Sequence, residues 1–157
     1  MRAEIEQQIR EIEHALEART APPSGLLGLF TDPPVNDPCA WAIEARKIFG
    51  DRIRIFGFWS YENPEAGLLG ELRERHDFAV LDGRWLLDGW ISRHWSDEAG
   101  APVTDLEDET DIERRRMLYG DPAAWEADYD LERRADLAAG LTIREVEPES
   151  GDRNFMA

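Results

Sequence analysis

Asn36-Asp37-Pro38-Cys39-Ala40-Trp41-Ala42-Ile43 opens a helix, and His76-Asp77-Phe78-Ala79-Val80-Leu81-Asp82-Gly83-Arg84-Trp85-Leu86-Leu87-Asp88 reads as a β-hairpin. In the first stretch Asp37 is a good N-cap, and Pro38 suits the first helical position, where its missing N–H costs nothing. The helix is expected to run to Phe49 and to stop at Gly50. Trp41, Ala42, Ala45, Ile48 and Phe49 give it a broad apolar surface, as a central helix needs. Cys39, the only cysteine of the chain, falls in the first turn. The free N–H groups and positive dipole end of a helix favour a thiolate there. The charge of Asp37 opposes this wherever it points at the sulfur.

The second stretch has a histidine at its entrance and an aspartate at its exit. Two loops fit it. With Asp82-Gly83 as a two-residue turn, Leu81 faces Arg84, His76 faces Gly89, and Asp88 turns to the opposite face. With Leu81-Asp82-Gly83 as a three-residue loop, Val80 faces Arg84, Phe78 faces Leu86, and His76 sits directly opposite Asp88. Only the second loop, or a bend with the same effect, brings His76 to Asp88.

Outward from this centre, residues 3–19 form an amphipathic helix. Ile5, Ile9, Ile12 and Leu16 share one face, and Thr20-Ala21-Pro22-Pro23 ends it. Its narrow stripe docks on the domain or pairs with a second copy as a homodimer. His14, beside the stripe, reads as a solvated or partly packed histidine. Residues 21–37 form a proline-rich loop with an apolar centre at Leu26–Phe30. Arg52–Trp59 alternates and is rich in β-formers, so it is a strand. Residues 60–70 are a loop. Trp90–Trp95 extends the sheet or leaves it, and residues 97–111 are a loop or short helix. Thr110 or Asp111 caps a helix through Tyr119 that Gly120 closes. Asp121-Pro122 opens a second helix over 122–139, and Leu141–Val146 is a last strand. The expectation is one α+β domain over 1–157. It has an N-terminal helix (1–20), a core (36–95) with the Cys39 helix packed on a small antiparallel sheet, and an acidic helical C-terminal part (104–147).

The chain of 157 residues carries a net charge of −16. Residues 97–157 hold 18 acidic residues against 7 arginines, a net of −11. Such a surface repels nucleic acid and anionic membrane and attracts a basic partner. A single cysteine excludes an intramolecular disulfide and a multi-cysteine zinc site. No leader pattern opens the chain, and its apolar runs fall far short of the roughly 20 residues a bilayer span needs. The expectation is a soluble, cytoplasmic protein without membrane, nucleic acid, metal or cofactor. His94 has no evident partner, and Asp82 is explained by the turn.

Cysteine, histidine and aspartate in this order supply a nucleophile, an acid–base and a group that orients it. Cys39 is the candidate nucleophile, His76 the candidate base and Asp88 its orienting acid. The Cys39 N–H and, more weakly, Asn36 are candidate oxyanion donors. A lone cysteine is otherwise a small buried apolar residue. The order of Cys at a helix start, His opening a strand and Asp ending the next resembles the papain-like and transglutaminase-like cysteine hydrolases. Cys39-Ala40-Trp41-Ala42 is similar to the small-and-aromatic run after the nucleophile there. No glutamine shortly precedes Cys39, where papain-like peptidases place an oxyanion donor. The length fits the small intracellular members, among them peptidases, deamidases, acyltransferases and bacterial effector or phage proteins. The resemblance covers residues 36–90 and implies hydrolysis or acyl transfer at an amide or ester of a peptide, a protein or a small molecule. A rival from another class is a non-enzymatic acidic binding protein, of the immunity or DNA-mimic type, that blocks a basic partner.

Overall fold

The structure, a computed structural model, describes residues 1–19, 34–67, 69, 73–94 and 101–127. Helix α1 (Arg2–Ala18) and helix α2 (Pro38–Phe49) form as their sequences predict. Ile5, Ile9, Ile12 and Leu16 of α1 are each at most 4% exposed and belong to the main core. Each such burial contributes about 1.5–3 kcal/mol. The stripe docks on the domain, packing inside the chain against α2, which is the first of the two alternatives the sequence offered. His14 is exposed, as expected. Asp37 caps α2 by accepting the Cys39 N–H at 3.0 Å. Gly50, at φ 65°, ends it.

Among the described residues, strands β1 (Ile53–Trp59), β2 (Arg75–Leu81), β3 (Trp85–Leu87), β4 (Val103–Asp105) and β5 (Glu126–Ala127) make one antiparallel sheet, ordered β4-β3-β2-β1-β5. The architecture is α+β with the N-terminal helix packed on the domain. All seven residues of the central strand β2 are buried, so both faces of the sheet are covered. Alternation sets His76, Phe78 and Val80 on one face and Asp77 and Ala79 on the other.

The hairpin takes neither loop predicted from the sequence. Asp82 (φ 53°) and Gly83 (φ 68°) form the turn, and the Arg84 N–H donates to the Leu81 carbonyl at 3.0 Å. Arg84 is then an extra residue, so Leu81 pairs with Trp85, Val80 with Leu86 and Ala79 with Leu87. Asp88 falls one step beyond β3, on the His76 face but diagonal to it rather than opposite. Diagonal cross-strand neighbours on one face are still within reach of each other.

Beyond Asp88 the chain leaves the sheet as a short helix, α3 (Gly89–His94). The predicted loop over 97–111 contains strand β4, only Val-Thr-Asp, recruited by the open edge of β3. The Asp88 N–H donates to the Pro102 carbonyl at 2.9 Å, and the Leu106 N–H to the Arg84 carbonyl at 2.8 Å. Helix α4 (Glu109–Tyr119) ends at Gly120 as predicted, but its cap is Asp108, whose carboxylate accepts from the Thr110 and Asp111 N–H groups. Of the predicted helix over 122–139, residues 122–127 are corrected, and 128–139 lie outside the described residues. Pro122–Ala124 is a single 3-10 turn, and strand β5 follows. Trp125 packs edge-on against Phe78 at 4.8 Å, and Glu126 meets Arg75 at 3.1 Å. These anchors pull the chain to the edge of β1 and override the helix-start signal. The C-terminal part over 104–147 is therefore not simply helical: within its described residues it supplies an edge strand on each side of the sheet. The predicted loop centre at Leu26–Phe30 and strand Leu141–Val146 lie outside the described residues.

Candidate active site

His76 and Asp88 meet. The histidine Nε2 lies 2.6 Å from Asp88 Oδ2, and both side chains are 1% exposed. Aromatic rings surround the imidazole: Trp90 at 5.1 Å, Tyr119 at 6.1 Å, and Phe58 and Phe78 at 6.3 Å between centroids. Asp88 accepts two further hydrogen bonds. The Tyr119 hydroxyl donates to the same Oδ2 at 2.8 Å, and the Ile91 N–H to Oδ1 at 3.2 Å.

Donor counting assigns the histidine tautomer. Burial, with the Asp88 carboxylate next to it, pushes the Tyr119 phenol well above its ordinary range, so the hydroxyl keeps its proton and donates. Asp88 acts as an acceptor only, so Nε2 of His76 is the protonated nitrogen. The lone pair of the neutral ring is then on Nδ1. Nδ1 is buried and has no hydrogen-bond partner among the described residues. A basic nitrogen without a partner, on a ring held by a carboxylate, is what proton abstraction needs.

Cys39 lies in the first turn of α2, 1% exposed. It is not hydrogen-bonded to Nδ1, which has no such partner among the described residues. The Cys39 N–H, predicted as an oxyanion donor, is engaged by Asp37. A carboxylate competes directly with an oxyanion for that proton, so the donor is not free in this arrangement. Asn36 is exposed in a 3-10 turn, and its carbonyl accepts from Trp90 Nε1 at 3.1 Å. Its amide is not among the groups bonded to His76 or Asp88. Trp90, whose ring stands beside His76, thus ties the segment leading into α2 to the wall of the site.

The remaining singled-out residues have local roles. His94 stacks on Trp90 at 3.9 Å, and its Nδ1 lies 2.9 Å from the Trp90 carbonyl. Asp82 sits in the turn and pairs with Arg52 at 2.6 Å. Tyr119 and Asn63 carry no chemistry in the sequence reading, yet they frame the site. Asn63 Nδ2 donates to the Tyr119 carbonyl at 2.8 Å, and its Oδ1 accepts the Asp121 N–H at 3.1 Å. The one signal for Tyr119 is its place before a helix-ending glycine, which fixes where α4 stops but not what the ring touches. Among the described residues no three His, Cys, Asp or Glu side chains gather as a metal site, and no helix is long and apolar enough to cross a membrane.

No family model matches the sequence, and comparisons with curated proteins and with solved structures return no match.

Proposed function

We propose that this protein is a cysteine hydrolase or acyltransferase acting on an amide or ester bond of a peptide, a protein or a small molecule. The observation that carries the reading is the 2.6 Å His76–Asp88 bond, which leaves the basic Nδ1 unpartnered. In this reading Nδ1 takes the Cys39 thiol proton, and the thiolate attacks the substrate carbonyl carbon. The imidazolium returns that proton to the leaving amine or alcohol as the C–N or C–O bond breaks, leaving an acyl thioester on Cys39. Water or an amine, deprotonated by His76, then releases the acyl group and restores the thiol. Asp88 orients the ring and stabilises the imidazolium. The set requires Cys39 Sγ to come within hydrogen-bond reach of Nδ1. The Cys–His–Asp order is the one in which the chain resembles papain-like and transglutaminase-like hydrolases. A cytoplasmic setting goes with this reading, since a reducing compartment keeps a lone thiol free.

The rival, an acidic binder of a basic partner, loses part of its charge to the fold. Asp105, Asp111 and Glu126 are paired with Arg84, Arg2 and Arg75 at 2.9, 2.7 and 3.1 Å.

The test is the pH dependence of Cys39 alkylation by iodoacetamide in the wild type and in His76→Ala. No other thiol exists to confuse the signal. The expected result is rapid labelling that persists well below the ordinary thiol pKa of about 8.5 and is lost with His76. Labelling that appears only as the protein unfolds would leave Cys39 a core residue and end the hydrolase reading.

A further inference from the structure

Three elements converge on one carboxylate. His76 reaches Asp88 from β2, the Ile91 N–H from α3, and the Tyr119 hydroxyl from α4. Tyr119 shares Oδ2 with the histidine, so its bond acts on the same oxygen that holds the imidazole. The tyrosine itself is fixed from three sides. Its ring is 1% exposed and lies 5.0 Å from Phe78. Its carbonyl accepts from Asn63 Nδ2 and from Trp125 Nε1, both at 2.8 Å. The next residue, Gly120, has φ 64°, and a side chain there would run into the Asn63 amide. The hydroxyl therefore has little freedom to turn from Asp88.

We propose that Tyr119 is a positioning residue: it holds Asp88 as a shared acceptor, and so fixes the His76 ring with its proton on Nε2 and its lone pair on Nδ1. A carboxylate oxygen held by the histidine alone is free to turn with it, whereas a second donor on the same oxygen, itself locked through its carbonyl by Asn63 and Trp125, keeps that oxygen on Nε2. Among the described residues, the groups next to His76 include Phe58 from β1, Phe78 from β2, Asp88 just beyond β3, Trp90 from α3 and Tyr119 from α4, and α2, which carries Cys39, packs on the same strand. The inference rests on the hydrolase reading for the use made of Nδ1, but the tautomer it assigns does not.

Nitrogen-resolved NMR of the imidazole rings tests it, in the full-length wild type and in Tyr119→Phe. The chain has three histidines, and the His76 signals are identified by their loss in His76→Ala. Wild type is expected to show Nε2 protonated and Nδ1 bare at neutral pH. Tyr119→Phe keeps the ring and removes only the hydroxyl. It is expected to add a second set of His76 signals with the proton on Nδ1. A merely structural tyrosine would lower the unfolding midpoint and leave Nε2 as the one protonated nitrogen, and this result would overturn the proposal. If Tyr119→Phe fails to fold, the wild-type spectrum decides: a proton on Nδ1, or an imidazolium at neutral pH, refutes it. Cys39 alkylation separates the two readings. A mixed tautomer in Tyr119→Phe, with labelling indifferent to His76, would support the tyrosine's role and remove the hydrolase.

Discussion

At the scale of single residues, one amide joins the two ends of the site's frame. Asn63 is 1% exposed and spends both ends of its side chain on the segment around Gly120. Asn63→Ala strips the Asp121 N–H of its partner and leaves the Tyr119 carbonyl with Trp125 alone. Losses of this kind cost about 2 kcal/mol. The urea midpoint of Asn63→Ala should fall accordingly, whereas Asn63→Asp should keep the bond to the Tyr119 carbonyl only at pH values where the acid is protonated. An unchanged midpoint in the alanine variant would mean that water replaces both bonds. Cys39, His76 and Asp88 were legible as candidates because each sits at a local signal: a capped helix start, a strand start, a strand end. The meeting of His76 with Asp88 was legible too, although through the wrong register. Tyr119 and Asn63 were not, because their partners lie 31 and 56 positions away and no local pattern encodes such distances.

At the scale of elements, α1, α2, α4, β1 and β2 each carry their own signal, whether an apolar period, a cap or alternating β-formers. The two edge strands do not. Val103–Asp105 and Glu126–Ala127 are strands because an open edge pairs with them. The tie that locates β4 is ionic. Arg84 grips Asp105 through two bonds of 2.9 Å, and its guanidinium, the largest influence, lowers the carboxyl from 3.8 to about 2. A folded value below the unfolded one adds stability above pH about 4, which is lost as the pH falls towards 2. Asp105→Asn should therefore be less stable than wild type at neutral pH, by the small margin of a solvent-screened ion pair. The gap in urea midpoint should close between pH 4 and pH 2. A gap that stays constant down to pH 2 would show that the pair does not hold β4.

At the scale of the whole molecule, a net charge of −16 on 157 residues opposes compaction. Screening relieves that repulsion. The urea midpoint at pH 7 should rise from low to physiological sodium chloride. A fall would mean that the attractive pairs, Arg75 with Asp77 and Glu126 among them, outweigh the net charge. The sheet order has a further consequence for biosynthesis. The outer edges of β3 and β1 are taken by β4 and β5, and the Tyr119 ring covers Phe78, all from residues beyond Pro102. While the ribosome is still translating that last third, the emerging chain holds β1, β2 and β3 with both flanks bare and the Tyr119 side of His76 open. Unpaired flanks are templates for another chain, and sheets assembled from distant segments close slowly. The nascent protein is thus most vulnerable to sticking to its neighbours on a polysome, and the His76–Asp88 pair is sealed only after translation has passed Tyr119.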